Sequence, residues 1–206
     1  MIAVINYGLG NVGSILNMLK KIGAKDSILA QTPSEIAQAD KLILPGVGAF
    51  DTGMELLHRS GLINAMNIHV LENKKPILGI CLGMQMLGLS SEEGVRQGLG
   101  YIDFRSKKFL MKDKEWKIPH MGWDYVEVVK KENPLVSESK PPLKYYFVHS
   151  YHAVCKNFED ILMNCDYGYT FTAAVNKNNI YGVQFHPEKS HKYGMELLSN
   201  FVKACG

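Results

Sequence analysis

Short apolar runs alternate with helical patterns from Met1 to Leu89. Met1 to Tyr7, Ser27 to Ala30, Lys41 to Leu44 and Pro76 to Ile80 read as buried strands. Between and after them, Ser14 to Ile22, Ser34 to Ala39, Asp51 to His58, Leu62 to Glu72 and Leu82 to Leu89 read as helices. A β-α-β-α order of this kind implies a parallel sheet with helices on both faces. Ligands of such sheets gather at the carboxyl ends of the strands. Gly8 to Gly13, Pro45 to Gly48 and Cys81 all lie at such ends.

After Gly94 the texture changes. Tyr101 to Phe109, Trp123 to Val129, Tyr145 to Ser150, Tyr167 to Val175 and Ile180 to Phe185 are short strand-like runs between turns, and Tyr193 to Ala204 closes as a helix. The expected fold is α/β: an open, mostly parallel sheet flanked by helices, with an antiparallel addition. The 206 residues are read as a single domain, 1–206, large enough to bury a core without staples. The formal net charge of +3 gives no argument for nucleic acid. The densest basic run, Arg105 to Lys117 with Lys114 inside it, reads as the wet face of a hairpin. The four cysteines, Cys81, Cys155, Cys165 and Cys205, form no C-x-x-C pair, which suggests a reducing cytoplasm and free thiols. No secretory leader is read at the N-terminus, and no apolar run is long enough to span a bilayer.

Gly79-Ile80-Cys81-Leu82-Gly83 has the form G-x-C-x-G between a strand and a helix, the cysteine counterpart of the nucleophile elbow. A side chain at 79 or 83 would crowd so sharp a turn. The turn presents the sulfur at a helix N-terminus, where backbone N–H groups and the dipole favour an anion. The N–H of Leu82, an orphan donor of the first turn, is placed to hold an oxyanion. The competing reading is a buried core cysteine. A second stretch favours chemistry: the run Ile180 to Phe185 ends in His186-Pro187-Glu188. A thiol nucleophile needs a base, and the base an orienting group; His186 and Glu188 supply both, with Pro187 limiting their freedom.

Gly8-Leu9-Gly10-Asn11-Val12-Gly13 matches the dinucleotide fingerprint G-x-G-x-x-G. That fingerprint also wants an acidic residue closing the second strand. The nearest, Glu35, lies beyond Pro33 at a helix start. A turn letting the first helix pack closely on the sheet is the preferred reading. His149 and His152 stand near a strand end, but with only Cys155 nearby they are too few for a metal site. His58, His69 and His191 read as solvent-side residues, and His120 as part of a compact turn, Pro119 to Trp123.

Pro45-Gly46-Val47-Gly48, Gly79 to Gln85 and Phe185 to Ser190 together resemble the triad class, class I, of glutamine amidotransferases, whose fold is flavodoxin-like. Tyr7 to Asn11, Pro119 to Trp123 and Tyr146 to Tyr151 resemble, more narrowly, the glutaminase subunits of imidazole glycerol phosphate synthases. The resemblance runs nearly end to end. It implies that Cys81 attacks the side-chain amide of L-glutamine, that His186 carries the proton to departing ammonia, and that Glu188 orients His186. It implies an oxyanion held by Leu82 and by the Val47–Gly48 turn, with a flip of that turn offering the second donor. Gly48, Gln85, His149, Ser150 and Tyr151 are then expected to bind glutamine. Ammonia is expected to pass to a (β/α)8-barrel subunit in a cytoplasmic heterodimer, across an interface that includes Asn11, Trp123 and Lys189. No cofactor or metal is implied. Related subunits supply ammonia for sugar amidination in surface-polysaccharide synthesis, and this is the alternative role. The family usually carries asparagine where Asp124 stands, and a carboxylate cannot donate the hydrogen bonds an amide can. A cysteine hydrolase acting on peptides and a non-enzymatic dinucleotide-binding module are the readings from other classes.

Overall fold

The computed structural model describes residues 1–113 and 115–205. Twelve strands are found among them. In chain order they are β1 Ile2–Ile5, β2 Ser27–Ala30, β3 Lys41–Leu44, β4 Ile77–Ile80, β5 Ser90–Ser91 and β6 Phe104–Lys108. There follow β7 His120–Val128, β8 Leu143–His149, β9 Tyr151–Cys155, β10 Ile161–Asp166, β11 Thr170–Lys177 and β12 Ile180–Val183. The helices are α1 Val12–Lys21, α2 Pro33–Gln38, α3 Phe50–Arg59, α4 Ile63–Asn67, α5 Leu82–Met86 and α6 His191–Lys203.

The main sheet runs β2-β1-β3-β4-β12-β11-β10-β7-β8. Its first five strands are mutually parallel, and the last four continue antiparallel. The expected architecture is therefore present, with the final strand of the chain completing the parallel half beside β4. Residue alternation divides the interior into two cores. Ile2, Val4 and Ile43 face α1 and α6, through Leu19, Leu198 and Phe201. Ala3, Ile5, Leu42 and Leu44 face α2, α3 and α5, through Ile36, Phe50 and Met84. Side chains of period two along β1 and β3 thus meet helices of period 3.6 on both sides.

Several expectations need correction. The basic stretch from Arg105 is no local hairpin: β6 pairs antiparallel with β9, Lys107 opposite His152. Lys114 lies outside the described residues. Pro119 to Trp123 is not a compact turn, since His120 to Trp123 open the long strand β7 and pair with β8, His120 against His149. β5, β9 and β10 are not anticipated by the sequence; only Ser150 separates β9 from β8, and no turn signal marks that boundary. The helix expected over Leu62 to Glu72 is α4 followed by a π-turn, Ile68–Glu72. His69 is buried there rather than solvated; His58 and His191 are exposed as expected.

The glycine turn after β1 also differs from the expectation. At Gly10, φ is +105° and a Cβ would sit 2.8 Å from Pro45, so this glycine lets two loops meet. At Gly13 there is open space, so it does not bring α1 closer to the sheet. Glu35 completes a capping box with Thr32 at the start of α2, where its carboxylate also accepts from the N–H of Gln31. It is thereby spent on the helix terminus.

Candidate active site

Four carboxyl ends of the parallel strands meet at one edge, and the candidate residues stand on them. The residue following β4 is Cys81, with φ +54° and ψ −111°, a conformation that non-glycine residues rarely adopt. Its N–H is held by the carbonyl of Val183 at 2.8 Å, which extends the β4–β12 pairing into the elbow. The flanking glycines are needed for close approach. A Cβ on Gly79 would lie 2.7 Å from the Gly83 carbonyl oxygen, and one on Gly83 would lie 1.9 Å from that of Leu44. Cys81 is 7% exposed, buried but open to a cleft. Leu82 is the first residue of α5, so its N–H has no carbonyl inside the helix to receive it.

The cleft has a volume of about 540 Å³. Val47, Gly48, Cys81, Leu82, Gln85, His149, Ser150, Tyr151, His186 and Lys189 all line it. Every expected oxyanion and glutamine-binding residue therefore faces the same space as the cysteine. The Val47–Gly48 turn is exposed, with φ of +97° at Gly48. Beneath it the Tyr7 hydroxyl donates to the carbonyl of Pro45 at 2.8 Å. A Cβ on Gly46 would lie 2.7 Å from the N of Gly83, so the turn is packed directly onto the elbow.

His186 lies beyond β12, the strand that pairs with β4, and lines the same cleft as the elbow. Its Nδ1 lies 2.8 Å from Glu188 Oε1, with the two side chains 2% and 1% exposed. Burial alone disfavours the charged imidazole, but the Cys81 sulfur and the Glu188 carboxylate outweigh it and raise the pKa to about 9. Nε2 of His186 makes no regular hydrogen bond among the described residues and is the nitrogen left for chemistry. The turn carrying this pair is pinned by Ser190, whose hydroxyl donates to the His186 carbonyl at 2.7 Å and accepts from the N–H of Tyr146 at 3.0 Å.

The histidines of β7 to β9 find protein partners. His149 Nδ1 is 2.8 Å from the carbonyl of Tyr151 and its Nε2 is 3.0 Å from His120 Nδ1, while His120 Nε2 is 2.7 Å from Asp124. His152 instead meets the hydroxyl of Tyr169 at 2.9 Å, so His149 and His152 do not converge on a common point. Trp123, His191, Tyr146 and Lys189 share one face: the Trp123 and His191 rings stack at 5.5 Å, and Lys189 Nζ lies 5.8 Å from the Tyr146 ring. Asn11 immediately precedes α1 and makes no side-chain capping bond among the described residues, and α1 packs against the Pro187–Lys189 turn.

Two supporting residues were not singled out from sequence. Tyr7 ends an apolar run and opens the Tyr7–Asn11 stretch, but nothing in the sequence gives its hydroxyl a role. Gln184 does carry one, since it is an amide between Val183 and Phe185 where the run is otherwise apolar. It is fully buried, and its Nε2 lies 3.7 Å from Cys81 Sγ.

A cysteine on a strained elbow and an imidazole–carboxylate pair lining one pocket of small-molecule size make up a site of the thiol-nucleophile type. The chain belongs to the family "Glutamine amidotransferase class-I", which matches residues 3–205. More specifically, it is 53% identical over 203 residues to "Imidazole glycerol phosphate synthase subunit HisH 2" of Pseudomonas aeruginosa, covering 98% of this chain and 99% of that one. It is 54% identical, at the same coverage, to the protein of that name from Methanococcus maripaludis. Among solved structures, a glutamine amidotransferase superposes with a TM-score of 0.72 at 18% identity, covering 96% of this chain and 98% of the other. The structure of PurLQS from Thermotoga maritima gives 0.70 at 17%, with coverages of 98% and 96%. At those identities the likeness is one of fold. Among the described residues no helix is long and apolar enough to cross a membrane.

Proposed function

We propose that this chain is the glutaminase subunit of an imidazole glycerol phosphate synthase, a single cytoplasmic domain over residues 1–206 that releases ammonia from L-glutamine. The observation that carries the reading is the meeting of Cys81, on its strained elbow, with the buried His186–Glu188 pair in one cleft. Cys81 Sγ attacks the side-chain carbonyl carbon of glutamine. The oxyanion is held by the N–H of Leu82 and, after a rotation of the Val47–Gly48 turn, by an N–H from that turn. His186, protonated at Nε2 in the charged-sulfur state, gives its proton to the departing nitrogen, and ammonia leaves. Water then attacks the glutamyl thioester, His186 accepts a proton from it, and glutamate departs as the sulfur is freed. Glu188 holds His186 Nδ1–H throughout. Gly48, Gln85 and the backbone around His149, Ser150 and Tyr151 hold the rest of glutamine.

The partner is a (β/α)8-barrel subunit, joined in a heterodimer, that combines the ammonia with a phosphoribosyl intermediate to give imidazole glycerol phosphate and an aminoimidazole carboxamide ribotide. Asn11, Trp123 and Lys189 are placed at that interface. In support, Trp123 and Lys189 share a face with Met121, which is 60% exposed on the same side of β7. The names of the relatives favour the histidine pathway over sugar amidination. Glutamate release is measured with the barrel subunit, with and without the phosphoribosyl acceptor. Strong stimulation by the acceptor is expected, together with a loss of about 10⁴-fold in Cys81→Ala. A loss far below that would reject the triad. Stimulation by the barrel that ignores the acceptor would move the chain to another pathway.

A further inference from the structure

We infer that Gln184 is a further catalytic residue of this site: its side-chain amide donates a hydrogen bond to the Cys81 sulfur and stabilises negative charge there. This rests on Cys81 being the nucleophile, as proposed above. Gln184 is the first residue beyond β12, and its N–H donates to the Ala173 carbonyl at 2.8 Å, so its backbone is fixed by the sheet. Its side chain is sealed from water, and a sealed amide must find protein partners for both ends. Oε1 accepts from Gln85 Nε2 at 3.1 Å, and Nε2 lies 3.7 Å from Cys81 Sγ.

The direction of these bonds is set by a backbone group. The Tyr151 carbonyl can only accept, and Gln85 Nε2 lies 3.2 Å from it. The amide nitrogen of Gln85 is therefore on that side, and the same nitrogen reaches Gln184. Turning the Gln184 amide over would set NH₂ against NH₂ and carbonyl oxygen against sulfur, two repulsions in place of two bonds. The polarity thus runs from the sulfur through Gln184 and Gln85 to the strand that lines the cleft.

A neutral thiol accepts hydrogen bonds weakly, whereas a thiolate accepts them strongly. The sulfur is anionic when it attacks and again when the thioester is hydrolysed. A donor fixed beside it therefore contributes most when charge is present, the condition for lowering a barrier. The N–H of Cys81 itself is occupied by Val183 and cannot serve.

A merely structural Gln184 would act as a strut for Gln85 and through it affect only glutamine binding. Iodoacetamide alkylation of the full chain over about pH 6 to 10 separates the two roles, with Cys81→Ala giving the background from the other thiols. In Gln184→Met the Cys81 alkylation rate at neutral pH is expected to fall about tenfold, the loss of one hydrogen bond to a charged group, and its rise to shift to more alkaline pH. kcat for glutamate release with the barrel subunit falls in parallel, and KM changes by less than about threefold. Gln85→Met, which removes the strut and keeps the donor, is expected to raise KM and leave the alkylation profile in place. If circular dichroism finds Gln184→Met unfolded, Gln184→Glu replaces it, with the same or greater slowing expected. Identical behaviour of the Gln184 and Gln85 variants, raised KM with the wild-type alkylation profile, overturns the inference. Glutamate release surviving in Cys81→Ala is a separate outcome, which removes the nucleophile and this role with it.

Discussion

Asp124 stands at the end of a hydrogen-bonded chain that begins in the cleft. Because the Tyr151 carbonyl only accepts, His149 donates to it from Nδ1 and receives at Nε2 from His120 Nδ1–H. His120 Nε2 and Asp124 Oδ2 then share the remaining proton at 2.7 Å. Asparagine in the same place could donate from its amide, which would change where that proton resides. His120 is fully buried, and burial lowers its affinity for a proton while Asp124 opposes that effect. Asp124→Ala leaves a sealed ring nitrogen unpaired and is expected to cost about 1–3 kcal/mol in urea denaturation. Asp124→Asn retains a partner and is expected to cost less than about 0.5 kcal/mol. Equal losses in the two variants would mean that Asp124 does not anchor the histidine pair.

Among the elements, α6 bears on the site without contributing a side chain to it. A Cβ on Gly194 would lie 1.8 Å from the carbonyl oxygen of Pro187, so the helix rests directly on the turn that carries His186 and Glu188. Backbone cannot rotate out of the way as a side chain can. Gly194→Ala is expected to lower stability by about 1–3 kcal/mol and to reduce glutamate release in the molecules that remain folded. Activity per folded molecule equal to wild type would show that the turn tolerates displacement. Nothing about Gly194 marks it in the sequence, since the contact joins backbone to backbone across a bend. Cys81, His186 and Glu188, by contrast, sit in short stretches whose spacing is itself the constraint. The parallel half was legible for a similar reason: each strand ends in a turn that must release the chain into a helix. The antiparallel half was not. β9 owes its existence to β6, far back along the chain, β10 lies between β7 and its hairpin partner β11, and Gly122 looks like a turn residue inside what is strand. Gln184 was visible as a polar residue in an apolar run, but its meaning lies in the distance to a sulfur that only the fold supplies.

Across the whole molecule, the two cores hold histidines that oppose one another in pH. His149 is pushed down to about 3 and His69 to about 4, both chiefly by burial. The unfolded chain takes up those protons near the ordinary value of about 6.5. Stability from these two groups is therefore complete above that value and declines as pH falls through 6.5 toward 4 and 3. His186 runs the other way: held near 9, it contributes fully below about 6.5 and progressively less as pH rises through 9. The stability maximum is accordingly expected near pH 6.5, with a histidine-dependent fall on the acid side. His69 offers a test away from the cleft. It is buried on the π-turn after α4, and neither ring nitrogen has a regular hydrogen-bond partner among the described residues. His69→Leu removes both the sealed nitrogens and the proton uptake. Urea denaturation at about pH 5 and about pH 7.5 should find the variant at least as stable as the parent at the higher pH. The parent should lose up to about 1.4 kcal/mol per pH unit more than the variant between 6.5 and 4. An unchanged acid slope in His69→Leu would place the acid sensitivity elsewhere, with His149 the next group to examine.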